Sequence, residues 1–498
     1  DYSLPEFAPD GAWEEGINYW TYSMEYITRA VFALNNVFGS DFGISGYEGI
    51  RKAAHWGISL DSYNGVNSYH DTWDGMHLDT FALSGLGKIY SDKTVLNFRR
   101  ETVNQMDYMP SVFDLLWCDK TDTASKPANE LYGRKSETVS IREGWFNFDG
   151  TINSGGLYFS THGGRNNAYH SHVDAGAFVF DIMGERWAMD IPPEEYNLMY
   201  GKDNNTYYRR RAEGHNTVVI NPDTSAGQIT NASSYVTSYK FSNNDAYAVY
   251  DMSQIYSTWA SGYKRGFYVG DNRRSLTVRD EITLKNPAQI YWFMHTKADI
   301  EPTENGAILT KNGKKLKLEV QSSCAFEVSK MDAEPLSTSP KPLQTSNDGI
   351  YKAAIRLTGS GNVTIEVKLS PYEENVSPMM NCSTSLWSKN VDQNTEQTIY
   401  DFEDYTSGLP EGFTELNGNS VTGVKPGYDV YGVASRSLWV AQASTKTEGS
   451  DRWYQLRAAV KPVNRNYQHI HYEQAYDNQF SDRWLIVKFS DNNETSIP

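Results

Sequence analysis

Cysteine is scarce in this chain. Cys118, Cys324 and Cys382 are the only three in 498 residues, and no two form a CxxC pair. That excludes a disulfide framework and a thiolate zinc site. Long apolar runs are missing too: none approaches the roughly 20 residues needed to span a bilayer. Basic residues are outnumbered, 45 Lys and Arg against 62 Asp and Glu, for a net charge of -17. A general nucleic-acid binder needs a basic footprint, so that class falls away. An anionic substrate stays open, because a cleft can be locally basic in an acidic protein. The opening residues, DYSLPEFAPDGAW, have neither a basic start nor an apolar run and do not read as a signal peptide. The expectation is a removed leader, or a chain that begins inside a longer protein. There is no HExxH and no paired carboxylate beside the histidines, which argues against a zinc hydrolase.

What is present is aromatic and patterned. Tyr (34) and Trp (13) are abundant, and the Asn-, Ser-, Tyr-, Gly- and Thr-rich second half fits a secreted or periplasmic bacterial β-protein. Trp20, Met24, Ile27, Val31, Leu34 and Phe38 recur at three- and four-residue spacing, which makes one apolar helical stripe with Gly39 as its stop. Further short helices fit residues 46–57 and the segments LDTFALSGLGKIY and KTVLNFRRETVNQM. Residues 1–122 therefore read as stacked helical hairpins, and 123–135 as a linker. The period then switches to two: SIREGWFNF, AGAFVFDI, HNTVVIN, SLTVRDEI and AQIYWFMHT are strand-like. Asn312-Gly313 marks a hairpin turn. Residues 136–375 read as one large antiparallel β-sandwich, 376–395 as a second linker, and 396–498 as a jelly-roll-like accessory module that could bind carbohydrate.

Chemistry gathers in NNAYHSHVDAGAFVFDIMGERWAMD, residues 166–190. If the segment is extended, His170, His172 and Asp174 share a face. His215 opens a later strand behind Arg209, Arg210 and Arg211. His172, Asp190 and His215, eighteen and twenty-five positions apart, make a reasonable zinc set drawn from different strands. An HxH pair alone is common: His469 and His471 have the same spacing and no companion carboxylate. His70 and Asp71 lie in a polar loop, NSYHDTWDG, that could face a cleft.

The segment HSHVDAGAFVFDIMGERWAMD followed by YYRRRAEGHNTVVIN resembles the metal-binding core of heparinase II/III-like polysaccharide lyases. PDGAWEEGINYWTYS is similar to that family's run into its catalytic tyrosine, here Tyr19, with Tyr22 the weaker candidate. The resemblance spans roughly residues 8–375 and implies an α+β multidomain fold: an incomplete α/α toroid of helical hairpins, then the sandwich. It implies β-elimination in a uronic-acid-containing polysaccharide, sulfated or not, with Tyr19 and His170 as acid and base. One structural zinc on His172, Asp190 and His215 would pin the loop that carries His170. Arg209, Arg210, Arg211 and His70 are candidates for substrate binding. The family's carboxylate-neutralising set on earlier toroid helices has no match here, so a missing N-terminal helical segment is expected, and with it weak or no lyase activity if those helices are truly absent. The competing expectation is a non-catalytic glycan-binding protein that retains the metal-stabilised sandwich.

Overall fold

The structure is a computed structural model. It describes residues 3–106, 108–118, 126–147, 149–199, 202–242 and 244–389, and the backbone of short strands between 396 and 497. The chain divides into two compact units, Asp1–Val391 and Asp392–Pro498.

The first unit opens with helices α1 (Ile17–Phe38), α2 (Ile50–Ser59), α3 (Ala82–Tyr90), α4 (Lys93–Gln105) and α5 (Val112–Trp117). The stripe read from the sequence is the buried face of α1: Ile17, Trp20, Met24 and Val31 are buried, and Ile27 packs against the same core. Phe38 departs from it. It is exposed and meets Phe42 edge-on, because the helix runs past its last partner. Gly39 closes α1 in the left-handed conformation, φ 69°, as a C-terminal glycine does. Trp20 and Trp56 centre the helical core. Trp56 Nε1 also donates to Thr138 Oγ1 at 2.9 Å, and Arg142 donates to the Ser59 carbonyl at 2.7 Å. Helices and sandwich are thus joined by buried polar contacts within one unit.

The strands of this unit are β1 (Glu130–Gly133), β2 (Thr138–Arg142), β3 (Tyr158–Thr161), β4 (Gly164–Arg165), β5 (Phe178–Ile182), β6 (Glu185–Ala188), β7 (Val218–Ile220), β8 (Ser233–Phe241) and β9 (Ala246–Asp251). They continue as β10 (Ala260–Gly270), β11 (Ser275–Leu284), β12 (Ala288–Thr296), β13 (Asp299–Thr303), β14 (Gly306–Lys311), β15 (Lys314–Ser322), β16 (Phe326–Asp332), β17 (Tyr351–Gly359) and β18 (Asn362–Pro371). One sheet has the order β1-β2-β3-β5-β6 and another β16-β17-β12-β7. The largest runs β13-β14-β15-β18-β11-β10-β9-β8, with β4 on β8. The described pairings among these strands are antiparallel. Phe267 of β10 meets Phe159 and Phe178 of the first sheet, and Phe178 also meets Trp292 of β12. The apolar core therefore lies between layers, as a sandwich requires. The Asn312-Gly313 turn joins β14 to β15 with both residues at positive φ, 48° and 77°, the geometry of a type I′ hairpin.

Both linkers are more structured than their composition implied. Residues 130–133 are already β1. Within 376–395, Trp387 is fully buried against Tyr247 and Tyr268 of the large sheet. In the second unit, Ser420–Tyr428 pairs antiparallel with Ala434–Gln442, and Arg452–Arg457 pairs parallel with Leu485–Lys488. His469 and His471 lie outside the described residues.

Candidate active site and metal centre

The HxHxD segment is not an extended strand. His170 is left-handed, φ 59°, as is Gly176, φ 82°, and the Ala177 amide closes a turn on the Asp174 carbonyl. The strand β5 begins only at Phe178. The turn separates the two histidines. The side chain of His170 is about one-third exposed, whereas that of His172 is fully buried. A second loop, between α2 and α3, brings up His70 (φ 58°) and Asp71. Tyr19 stands in the first turn of α1, which starts after Gly16 at φ 87°.

These three segments meet at Asp71. Its carboxylate accepts from His170 Nδ1 at 3.0 Å, His172 Nε2 at 2.9 Å, Arg210 Nη1 at 3.2 Å and the Tyr196 hydroxyl at 2.8 Å. An ionised carboxylate only accepts, so each imidazole donates from the named nitrogen, and its neutral form then has the other nitrogen bare. With its hydroxyl hydrogen on Asp71, Tyr196 accepts from the Tyr19 hydroxyl at 2.8 Å. The Tyr19 ring stacks on His170, centroids 3.7 Å apart and planes 21° apart. Burial pushes the Asp71 pKa upward. The hydrogen bond and charge of His172, the Arg210 guanidinium and the Tyr196 hydroxyl outweigh it and hold the carboxyl well below its ordinary range. Burial raises Tyr19, the bond to Tyr196 opposes this, and the Asp71 charge adds to the rise. The resting phenol is therefore protonated, an acid in waiting, and the tautomer that His170 adopts on Asp71 directs its Nε2 away from that carboxylate.

Behind Asp71 lies a dry polar cluster. His215 Nδ1 is 2.6 Å from Asp190 Oδ1; burial lowers the pKa of this imidazole, but the charge and hydrogen bond of Asp190 outweigh it and raise it, and the ring's other nitrogen is Nε2. That atom, His172 Nδ1 and Asp174 Oδ1 are buried without a hydrogen-bond partner. His172, Asp174 and His215 bring one ligand atom each within 4.8 Å of one another. Burial first, then the Arg210 charge, lowers His172 to about 4, so the imidazole is neutral, as a metal ligand must be. Two unpartnered nitrogens and a carboxylate oxygen, with each imidazole backed by another carboxylate, fit a zinc ion. Asp174 is within reach of both imidazoles. Asp190, expected as a direct ligand, holds His215 Nδ1 through Oδ1 and keeps its Oδ2 buried without a hydrogen-bond partner.

The arginines do not line a binding surface. Arg209 donates to Asn347 Oδ1 and to the carbonyls of Pro193 and Ser346, and Arg211 donates to those of Thr224 and Asp223. Arg210 ties Asp71 to the Ser171 carbonyl. All three are buried, so loop anchoring replaces the expected substrate contacts. His70 is buried against Asp174, 3.1 Å from its Oδ2, and does not face a cleft. Tyr22 is exposed beside Tyr26. Sequence reasoning missed Tyr196, in the motif-free run PPEEYNLMY, and His162, just beyond β3.

Residues 157–370 match the family model "Heparinase II/III-like, C-terminal". This part of the sandwich is similar to that family's C-terminal domain. Among solved structures, the heparan sulfate lyase HepC from Pedobacter heparinus matches at 12% identity and TM-score 0.52, over 74% of this chain and 54% of that one. A structure of heparinase III matches at 12% and 0.53, over 87% and 61%. A second heparinase III gene product matches at 14% and 0.54, over 74% and 53%. At these identities the likeness is one of fold, and the chain spans between about half and three fifths of the length of these relatives. No curated protein matches the sequence. The matched segment supplies His162, His170, His172, Asp174, Asp190, Tyr196 and His215, whereas Tyr19, His70 and Asp71 come from the helical part.

Proposed function

We propose that this chain acts on a uronic-acid-containing polysaccharide as a lyase, by β-elimination. The observation that carries the reading is the stacked Tyr19–His170 pair, with both side chains tied to Asp71. Elimination needs a base for the weakly acidic proton beside the sugar carboxylate and an acid for the departing bridge oxygen. His170 has the features of the base: Nδ1 donates to a buried carboxylate that fixes its tautomer, and Nε2 is free, the logic of a histidine held by an aspartate. Tyr19, protonated and beside it, has those of the acid. The proton His170 takes from the sugar balances the one Tyr19 gives to the bridge oxygen, and exchange with solvent at this partly exposed pair resets both.

His172 and His215, with Asp174 in reach and Asp190 behind, would hold a zinc ion. When bound, the ion supplies charge to a buried carboxylate and rigidity to the loop. His170 is two residues away on that loop, so its aim depends on the same anchor.

The test offers heparan sulfate, chondroitin, hyaluronan, alginate and ulvan to the purified chain and follows the ultraviolet absorbance of the unsaturated uronate. Absorbance that grows with one of these glycans and vanishes in Tyr19→Phe supports the reading. Tight glycan binding with no such product would replace it by the carbohydrate-binding alternative.

A further inference from the structure

Asp174 has a second set of neighbours. Besides His172 and His215, it is approached by His70 at Oδ2 and by His162 at Oδ1, and these three residues again bring one ligand atom each within 4.8 Å of one another. All three are buried: His70 is 4% exposed, His162 1% and Asp174 0%. We propose that His70, His162 and Asp174 form a second divalent-cation site, so that the Asp174 carboxylate is shared between two ions.

Three observations carry this. First, His162 Nε2 stands 3.2 Å from Asp174 Oδ1, yet neither atom has a hydrogen-bond partner. The two atoms are at contact distance and not aligned for a proton between them. Two ligands about 2 Å from one tetrahedral zinc are themselves about 3.3 Å apart, which is the spacing seen. Second, the other nitrogen of His162, Nδ1, is also buried and unpartnered. A neutral histidine in that place leaves its one N–H unsatisfied whichever tautomer it takes, and a cation on Nε2 gives the other nitrogen a partner. The ring is nevertheless held in position, stacked on Tyr69 at 4.1 Å between centroids. Third, His70 Nδ1 lies 3.1 Å from Asp174 Oδ2 and 3.3 Å from the His172 amide nitrogen. The first contact needs a protonated Nδ1 and the second a bare one, so the protein's own hydrogens cannot satisfy both. Four imidazoles around a single dry carboxylate are a nitrogen-rich donor set, which selects zinc or a neighbouring transition ion over calcium or magnesium. The site also has a structural logic. His70 comes from the helical part, His162 from the end of β3, and Asp174 from the turn that carries His170, so the ion would join the helical part to the sandwich.

The measurement is metal content. The full chain is saturated with zinc, desalted and analysed by mass spectrometry for zinc per chain, independently of any lyase assay. Two equivalents are expected, falling to one in His162→Gln and to one in His215→Gln. One equivalent or none in the wild type would overturn the proposal, as would His162→Gln retaining the wild-type content. Should His162→Gln fail to fold, anomalous scattering from crystals of the zinc-loaded wild type decides: two peaks flanking Asp174 support the shared site, and a single peak between His172 and His215 refutes it. Loss of the second ion alone leaves the lyase reading intact, and absence of elimination with two ions bound leaves this one intact.

Discussion

Asp71 sets what each surrounding residue can do. It is 2% exposed, and a buried carboxylate is tolerated only while its charge is met. Here Arg210 and the donated hydrogens of His170, His172 and Tyr196 meet it. Asp71→Asn keeps the shape but removes the charge and turns one acceptor into a donor facing donors. Breaking a buried pair on one side destabilises by about 3 kcal/mol, so a lower denaturation midpoint is expected. The same change frees the His170 tautomer, and any elimination rate should fall by roughly 10²–10⁴-fold, the range for loss of positioned acid–base catalysis. Tyr19→Phe separates the two effects. The Tyr19 hydroxyl bonds Tyr196 at the half-exposed mouth of the network, so its loss should change stability by no more than about 1 kcal/mol while the elimination rate falls as far as in Asp71→Asn. Chemical denaturation and initial rates on the same preparations check both. A Tyr19→Phe protein as unstable as Asp71→Asn would mean that the phenol is chiefly a packing residue.

Elements differ in how legible they are before any coordinates exist. The α1 stripe, the Gly39 stop and the Asn312-Gly313 hairpin each follow from a local rule, 3.6-residue periodicity or a left-handed turn, and each is where those rules put it. The site was legible only in part. The rings of His172 and His215, 43 positions apart in the chain, lie 5.2 Å apart, but the segment carrying His172 is a turn and not the extended strand its pattern suggests. Period-two reasoning has no means of placing a left-handed residue such as His170. His70, His162 and Tyr196 sit in turns and short helices without a repeating pattern, and only the packing of one layer on another gathers them. The arginine run shows the converse error: charge suggested solvent and ligand, whereas the loop residues 209–214 fold inward and spend their donors on carbonyls. That short loop presents His215, and Gly214 permits its path. A Cβ there would lie 2.1 Å from the Tyr208 carbonyl oxygen, inside any tolerable contact. Gly214→Ala should therefore destabilise by about 2 kcal/mol and weaken zinc binding by roughly 10–100-fold, as displaced supports of metal ligands do. A thermal melt paired with a competitive zinc titration reads both, and unchanged zinc affinity would detach the loop from the metal centre.

At the scale of the whole first unit, the sheets are sewn together by buried polar groups, and Glu137 shows what this implies for pH. It sits between β1 and β2 with a left-handed backbone, φ 49°. Its carboxylate accepts from the Tyr132 hydroxyl of β1 and from the Val236 amide of β8, each at 2.7 Å, and its carbonyl accepts from the Tyr250 hydroxyl of β9 at 2.8 Å. The first sheet and the large sheet therefore meet on one residue. Burial pushes its pKa up to about 7, against the pull of those hydrogen bonds. An acid whose folded pKa lies above its unfolded value contributes stability that is complete below the unfolded pKa, near 4.5, and is lost as pH rises through the folded one. The unit should thus lose about 3 kcal/mol of this contribution between pH 4.5 and pH 8. The buried imidazoles of His162 and His172, lowered by burial to about 3 and about 4, act in the opposite sense, since their contribution is present above 6.5 and falls as pH drops. The wild-type curve alone therefore mixes the two. The difference between wild type and Glu137→Gln, each measured by denaturant unfolding from pH 5 to pH 8, isolates the carboxyl, because the imidazoles are common to both. Glutamine keeps an acceptor for Tyr132 and Val236 and does not titrate, so the variant should close on the wild type, or overtake it, as pH rises. Parallel curves would mean that Glu137 is ionised in the fold across this whole range and that the two sheets are held there by a charge.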